Sequence, residues 1–135
     1  MLTRRRKARE IALQTLYAVE LSGEESEKVL RENAARRKSE GEPVRYAREL
    51  IDKVTEERDR LDSMVEASLK NWKLDRLAVI DLIILRIALA ELIYFKSTPK
   101  NVIINEAIEI AHKFSSKKAG KFVNGILDKI SAEVR

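Results

Sequence analysis

The stretch that decides the fold is Leu77–Phe95, LAVIDLIILRIALAELIYF, in which sixteen of nineteen residues are apolar. Its length and hydropathy are close to those of a membrane-spanning helix. Asp81, Arg86 and Glu91 interrupt it on different helical faces, and each charge costs ~2.5 to 3.5 kcal/mol near a bilayer centre. The stretch therefore predicts a buried helix, Arg76–Lys96, at the centre of the fold rather than a membrane span.

Helical spacing extends outward from this segment in both directions. Apolar residues recur at intervals of three and four, and proline occurs only at positions 43 and 99. We expect an all-α chain of about seven helices or fewer, forming one domain over 1–135 with halves at roughly 1–71 and 72–135 that meet at a polar joint near Trp72. Asp75 is the predicted N-cap of the central helix. The other predicted helices are Thr3–Glu20, which Ser22-Gly23 ends, Glu24–Ser39, Val44–Asn71, Pro99–Phe114, which Thr98 caps, and a last one capped by Ser115 or Ser116.

Composition narrows the class of function. The 135 residues include 27 Lys and Arg against 22 Asp and Glu, a net charge of +5 that favours a polyanionic partner. There is no cysteine and a single histidine, His112, which excludes disulfides, zinc fingers and thiol nucleophiles. Neither glycine-rich nucleotide-binding motif is present. The start carries no secretory signal, and we expect a cytoplasmic location.

The sharpest electrostatic feature is the basic start. Five cations precede the first acid, Glu10: Arg4, Arg5, Arg6, Lys7 and Arg9. Helical spacing places Arg6, Arg9, Leu13 and Tyr17 on one strip outside the centre of the apolar stripe. Cations at a helix N-terminus cost ~0.3 to 1 kcal/mol each against the helix dipole, so binding of phosphates and a stacked base explains them better than stability does. A solubilising tail is the alternative.

A second basic group surrounds the start of the last helix and consists of Lys113, Lys117, Lys118 and Lys121. A solvated lysine face is the simplest interpretation, whereas convergence with the basic start would give one groove for a single strand. Phe122 is among the predicted core positions of this helix. Gly120 and Gly125 each cost ~1 kcal/mol in a helix, which indicates close approach of a neighbouring helix at both.

Residue patterns that resemble catalytic motifs have simpler explanations. Ser-x-x-Lys occurs at 97–100 and 115–118, where helix capping accounts for the serines. The lone His112 has no metal-ligand company, and Glu106 with Glu109 is typical of a solvated helix face. The sequence shows no catalytic constellation, no metal site and no cofactor site, and we expect a protein that is not an enzyme.

Three segments together resemble the bacterial transcription antitermination factor NusB family. They are RRKAREIALQTLY at 5–17, LRIALAEL at 85–92 and INEAIEIAHKFSSKKAGKFVNGILDK at 104–129. The last is the most specific, and the resemblance spans nearly the whole chain. It implies two packed helical bundles, without enzymatic activity, that bind single-stranded boxA RNA as a heterodimer with the ribosomal protein NusE.

The resemblance also implies roles for particular residues and partners. It implies that the complex joins other Nus factors and RNA polymerase to suppress premature termination, notably in ribosomal RNA operons. Arg5, Arg6, Lys7 and Arg9 match the family's RNA-binding motif, with Tyr17 a further candidate. The lysines 117, 118 and 121 extend the candidate RNA surface, and Lys118 stands where family members can carry an acid. Asp81 and Glu106 are the candidate NusE-binding residues.

Two alternatives stay open. Some family members are thought to self-associate, so the arginine-rich surface can instead belong to a homodimer or masked scaffold. Similar helical domains resemble the N-terminal part of some RNA cytosine methyltransferases, although no cofactor-binding fold follows in this chain.

Overall fold

A computed structural model describes residues 3–70 and 73–135, and over these ranges the chain forms seven α-helices, one 3-10 turn and no strand. The helices are α1 (Arg4–Ser22), α2 (Ser26–Arg36), α3 (Glu42–Glu56), α4 (Arg58–Ser68), α5 (Val79–Tyr94), α6 (Lys100–Phe114) and α7 (Lys117–Val134), and the 3-10 turn is Leu74–Arg76. The all-α prediction is confirmed. Trp72, at the predicted joint, lies outside the described residues.

The apolar helix α5 lies at the centre of the molecule, as the sequence predicts. It contacts α1, α3, α4, α6 and α7, and its residues Ile83 to Leu92 are all buried. The two charges in this buried run are paired, because Arg86 makes two hydrogen bonds to Asp62 and Glu91 accepts two from Arg9. No helix in the described part of the chain is long and apolar enough to cross a membrane.

The helices form two groups that share one continuous core. The first group is α1 with α2 and α3, and the second is α5 with α6 and α7. Helix α4 packs more extensively on α5 and α7 than on α3. The predicted division at residue 71 assigns α4 to the first half, whereas its contacts assign it to the second.

Three predicted boundaries differ from the structure. The long helix predicted from Val44 is two helices, because the chain bends at Glu57 (φ −105°, ψ 15°). Asp75 does not cap α5, since it lies inside the 3-10 turn and the chain is still extended at Ala78. Thr98 does not cap α6, which begins after an extended Pro99 without a side-chain cap.

Two predicted helix ends are confirmed. Gly23 ends α1 in the left-handed region (φ 74°), which a glycine adopts without steric cost. Ser116 caps α7, and its hydroxyl accepts a hydrogen bond of 3.0 Å from the backbone N–H of Ala119. This cap fixes the start of α7 directly after the end of α6.

Candidate nucleic-acid interface

The first turns of α1 carry the five cations of the basic start in different environments. The hydroxyl of Thr3 caps the helix by accepting a hydrogen bond of 2.9 Å from the backbone N–H of Arg6. Arg4 and Lys7 are exposed and make no ion pair among the described residues. The arginines between and after them are all paired with carboxylates. The basic start is therefore a mixture of free and neutralised cations.

Arg9 is buried, with 3% of its surface exposed. Its guanidinium donates to both carboxylate oxygens of Glu91 on α5, at 2.7 and 2.8 Å, and to Glu106 on α6 at 3.1 Å. Leu13, one turn later, is fully buried. The prediction that Arg9 and Leu13 lie outside the apolar stripe is wrong, because α5 and α6 cover that side of α1. Arg9 therefore forms structural ion pairs inside the protein. Its buried position gives no support to a direct contact with RNA.

Arg6 is half-buried and paired with Glu106. Its Nε donates to Oε1 of Glu106 at 2.8 Å, and its Nη2 bonds to Oε2. The hydrogen bond from Arg6 lowers the pKa of the Glu106 carboxyl, with smaller contributions from the charges of Arg6 and Arg9. Glu106, predicted as a NusE-binding residue, therefore already binds two arginines of its own chain.

Arg5 is the most exposed of the three paired arginines of the basic start. Its Nε donates to Oε1 of Glu42 at 3.0 Å, and the guanidinium lies 3.7 Å from the centre of the Tyr46 ring. The hydroxyl of Tyr46 donates to Oε2 of Glu91 at 2.6 Å. Burial, followed by the charge of Glu91, raises the pKa of Tyr46 to about 12. A single network therefore connects the surface guanidinium of Arg5 to the buried pair of Arg9 and Glu91.

The lysines at the start of α7 are in a different environment. Lys117, Lys118 and Lys121 are exposed and make no ion pair among the described residues. Only Lys113, at the end of α6, reaches α1, where its Nζ lies 3.1 Å from both carboxylate oxygens of the buried Glu10. Of the second basic group, Lys113 is therefore the one member that contacts α1 in the described part of the chain.

Lys118 lines a cleft of about 230 Å³ between the starts of α5 and α7. Asp81 lies in the same cleft, and its Oδ1 is buried without a hydrogen-bond partner among the described residues. Phe122 also lines the cleft. It packs against the core, as predicted, but it is only half-buried and so leaves part of its ring on the cleft. Apolar side chains, an unpartnered carboxylate oxygen and a cation together suit a protein side chain that carries a hydrogen-bond donor.

The remaining candidates are single residues. Tyr17 is 37% exposed and lies on α1 two turns beyond Arg9. His112 is exposed and packs on Gly120 of α7, which confirms the predicted close approach there. Gly125 has no atom near the position of an added Cβ, so the same prediction is wrong for Gly125.

Sequence reasoning missed Glu42, Tyr46 and Glu91 as parts of this interface. Glu42 and Tyr46 lie in the first turns of α3, and Glu91 lies in α5. One sequence signal could have found part of the network, namely the acid Glu91 within an apolar helix. A buried charge requires a partner of opposite sign, which predicts a buried ion pair at Glu91.

Comparisons with known proteins show the family to which the chain belongs. The model of the NusB family matches residues 6–132. The chain belongs to the NusB family. It is 41% identical over 132 residues to the transcription antitermination protein NusB of Bacillus pumilus, covering 98% of both chains. It is also similar to T. maritima NusB, with a TM-score of 0.89, 36% identity, and coverage of 98% of this chain and 94% of that one.

A second solved structure bears on the partners of NusB proteins. It is a crystal structure of the antitermination factors NusB and NusE in complex with dsRNA. The chain matches it with a TM-score of 0.89 and 30% identity over 98% of this chain and 99% of that chain. The matched family region begins at Arg6, so it includes Arg6, Lys7 and Arg9 of the basic start but not Arg4 and Arg5.

Proposed function

We propose that this chain is an RNA-binding adaptor that binds single-stranded, boxA-like RNA together with NusE. In this role it joins an RNA polymerase elongation complex with other Nus factors in the cytoplasm and suppresses premature termination, notably in ribosomal RNA operons. The function is binding rather than turnover. The similarity to a NusB that forms a complex with NusE and RNA supports the proposal, since it extends over nearly the whole of both chains.

The observation that carries the RNA part is the row of four cations at the start of α1. Arg4, Arg5 and Lys7 are exposed and Arg6 is half-buried, all on a helix end that leaves their side chains accessible to a strand. Arginine forks bind phosphates in two-point geometry, and an exposed Tyr17 offers a ring for base stacking. The α7 lysines 117, 118 and 121 supply further positive charge for the strand.

The cleft around Asp81 supports the NusE part. A buried carboxylate oxygen without a partner costs free energy, and a donor from a docked protein would satisfy it. Phe122 supplies apolar surface beside it. We assign this cleft to NusE, and we assign Glu106 to the arginine cluster that it binds within this chain.

The test of the proposal is a fluorescence-anisotropy titration of a short boxA-like RNA and its scrambled version, with and without NusE, at two salt concentrations. We expect tighter binding of the boxA-like RNA, with a preference that increases when NusE is present. Equal and steeply salt-dependent binding of both RNAs in every condition would mean a non-specific polyanion surface, and the proposal would fail.

Matched variants locate the two surfaces. Arg5 and Arg31 are both exposed and each pairs with a carboxylate that is 30% exposed, so Arg31→Ala is the control for Arg5→Ala. We expect only Arg5→Ala to weaken RNA binding. For NusE, Asp81→Asn is compared with Asp75→Asn, an exposed acid in the preceding 3-10 turn, and equal effects of the two on NusE affinity would contradict the assignment of the cleft.

A further inference from the structure

The basic start is partly occupied by carboxylates of the same chain. Arg5 pairs with Glu42, Arg6 with Glu106, and Arg9 with Glu91 and Glu106. These acids come from α3, α5 and α6, the helices that surround the start of α1. A phosphate that approaches this surface therefore meets guanidinium groups that already have anionic partners.

The pair of Arg6 and Glu106 occupies a guanidinium edge that can also bind a phosphate at two points. Arg6 presents Nε and Nη2 to the two oxygens of Glu106, the two-point arrangement in which a guanidinium also binds a phosphate. The side chains of Arg6 and Glu106 are 25% and 16% exposed, so solvent screens this pair less than a fully exposed one. A phosphate can take this Nε–Nη2 edge of Arg6 only by displacing Glu106.

The pair of Arg5 and Glu42 is weaker and more accessible. It has one hydrogen bond of 3.0 Å, and the two side chains are 47% and 30% exposed. The Tyr46 ring stays in place whether or not Glu42 is bound, since its hydroxyl is held by Glu91. Arg5 can therefore exchange Glu42 for a phosphate while it remains stacked on the ring.

We propose that Glu42 and Glu106 compete with RNA phosphate for Arg5 and Arg6 and thereby hold down the affinity of this surface for any single-stranded RNA. The inference rests on the proposed function and adds its regulation. Arg4 and Lys7, which have no ion pair among the described residues, attract the strand, and Arg5 and Arg6 bind it only after the carboxylates leave. The surface is thus biased against phosphate alone and towards RNA that brings additional contacts.

The experiment measures RNA affinity for Glu42→Gln and Glu106→Gln by anisotropy, with the boxA-like and scrambled RNAs at several salt concentrations. Glutamine keeps the size of the side chain in both variants, and in Glu106→Gln it keeps an acceptor oxygen for Arg9. The control is Glu66→Gln, which makes the same change in net charge at an exposed acid of α4, a helix that packs on α5 and α7. Urea unfolding establishes whether each variant is folded. If Glu106→Gln does not fold, the result for Glu42→Gln alone decides the test.

We expect each substitution to raise the affinity for both RNAs by roughly 3- to 10-fold at low salt, against less than about twofold for the control. The salt dependence should also steepen, by at most ~0.7 in the slope of log K against log salt. In the unsubstituted chain the carboxylate that RNA displaces takes up a cation and offsets part of the counterion release, whereas glutamine takes up none. A gain no larger than that of Glu66→Gln, or a loss of affinity, overturns the inference. Absence of any preference between the two RNAs in the unsubstituted chain instead overturns the proposed function.

Discussion

The first turns of α1 and of α7 carry similar positive charge in the sequence but differ in the folded chain. On α1, Arg5, Arg6 and Arg9 are held by carboxylates from three other helices. On α7, Lys117 and Lys121 extend into solvent with no carboxylate partner in the described part of the chain. The difference shows that a basic cluster in a sequence can be a structural ion-pair network, a free electrostatic surface, or both at once.

The residue types contribute to this difference. Arginine offers a planar fork that binds a carboxylate at two points, and its delocalised charge tolerates burial better than a lysine ammonium does. The buried guanidinium of Arg9 on α1 uses this property to bind carboxylates on both α5 and α6. Lysine keeps its charge hydrated at the end of a flexible stem, which suits the exposed face of α7.

The largest effect is expected from breaking the buried end of the α1 network. Arg9→Ala leaves Glu91 buried with the Tyr46 hydroxyl as its one remaining side-chain partner in the described ranges, and we expect the free energy of unfolding to fall by ~3 to 5 kcal/mol. Lys117→Ala, on the solvated side of the comparison, should change it by less than ~0.5 kcal/mol. Urea unfolding followed by circular dichroism measures both. Similar small shifts for the two variants would mean that Arg9 is not an essential partner of Glu91.

The next effect concerns pH and the same network. The pKa of Tyr46 is raised to about 12, above the ordinary value of 10, so the neutral phenol stabilises the fold fully below pH 10. As the pH rises from 10 through 12 the unfolded chain loses the proton first, and about 2 kcal/mol of stability is lost.

The measurement compares the unsubstituted chain with Tyr46→Phe by urea unfolding between pH 8 and 11.5. The difference in stability between the two should be constant up to about pH 10 and then shrink. Other groups titrate in this range as well, but they are common to both proteins and cancel in the difference. A difference that stays constant up to pH 11.5 would show that Tyr46 ionises no later in the folded chain than in the unfolded one.

The sequence predicted the elements of the fold better than the environment of the site. Local chemistry sufficed for the central helix, the end of α1 at Gly23 and the cap at Ser116, because each depends on residues close in sequence. The bend at Glu57 was missed, since Glu56-Glu57-Arg58 contains neither proline nor glycine. The partners of Arg6 and Arg9 lie 100 and 82 positions away, and helical spacing gives no information on contacts at that distance.

A smaller effect should separate the two basic surfaces in RNA binding. We expect the double substitution of Arg4 and Lys7 by alanine to weaken binding of boxA-like RNA by roughly 5- to 10-fold at low salt, since these cations adjoin the guanidinium groups of Arg5 and Arg6. The matching substitution of Lys117 and Lys121 should weaken it by roughly two- to threefold, because Arg5 and Arg6 lie on α1 and the α7 lysines do not adjoin them in sequence. Anisotropy with the same RNA measures both, and a larger loss from the α7 pair would reverse the assignment of the main RNA surface.

The smallest effect tests the helix that carries the α7 lysines, through its two glycines. Nothing lies near an added Cβ at Gly125, so Gly125→Ala should stabilise the chain by ~0.5 to 1 kcal/mol through the entropy of the unfolded state. At Gly120 an added Cβ would overlap the ring of His112, and Gly120→Ala should gain less than Gly125→Ala or destabilise the chain. Removing the ring with His112→Ala should restore the full gain from Gly120→Ala, because the exposed imidazole is the only obstacle among the described residues. Equal gains at the two glycines in the unsubstituted background, measured by thermal unfolding, would mean that the exposed His112 ring moves aside from Gly120 at no measurable cost.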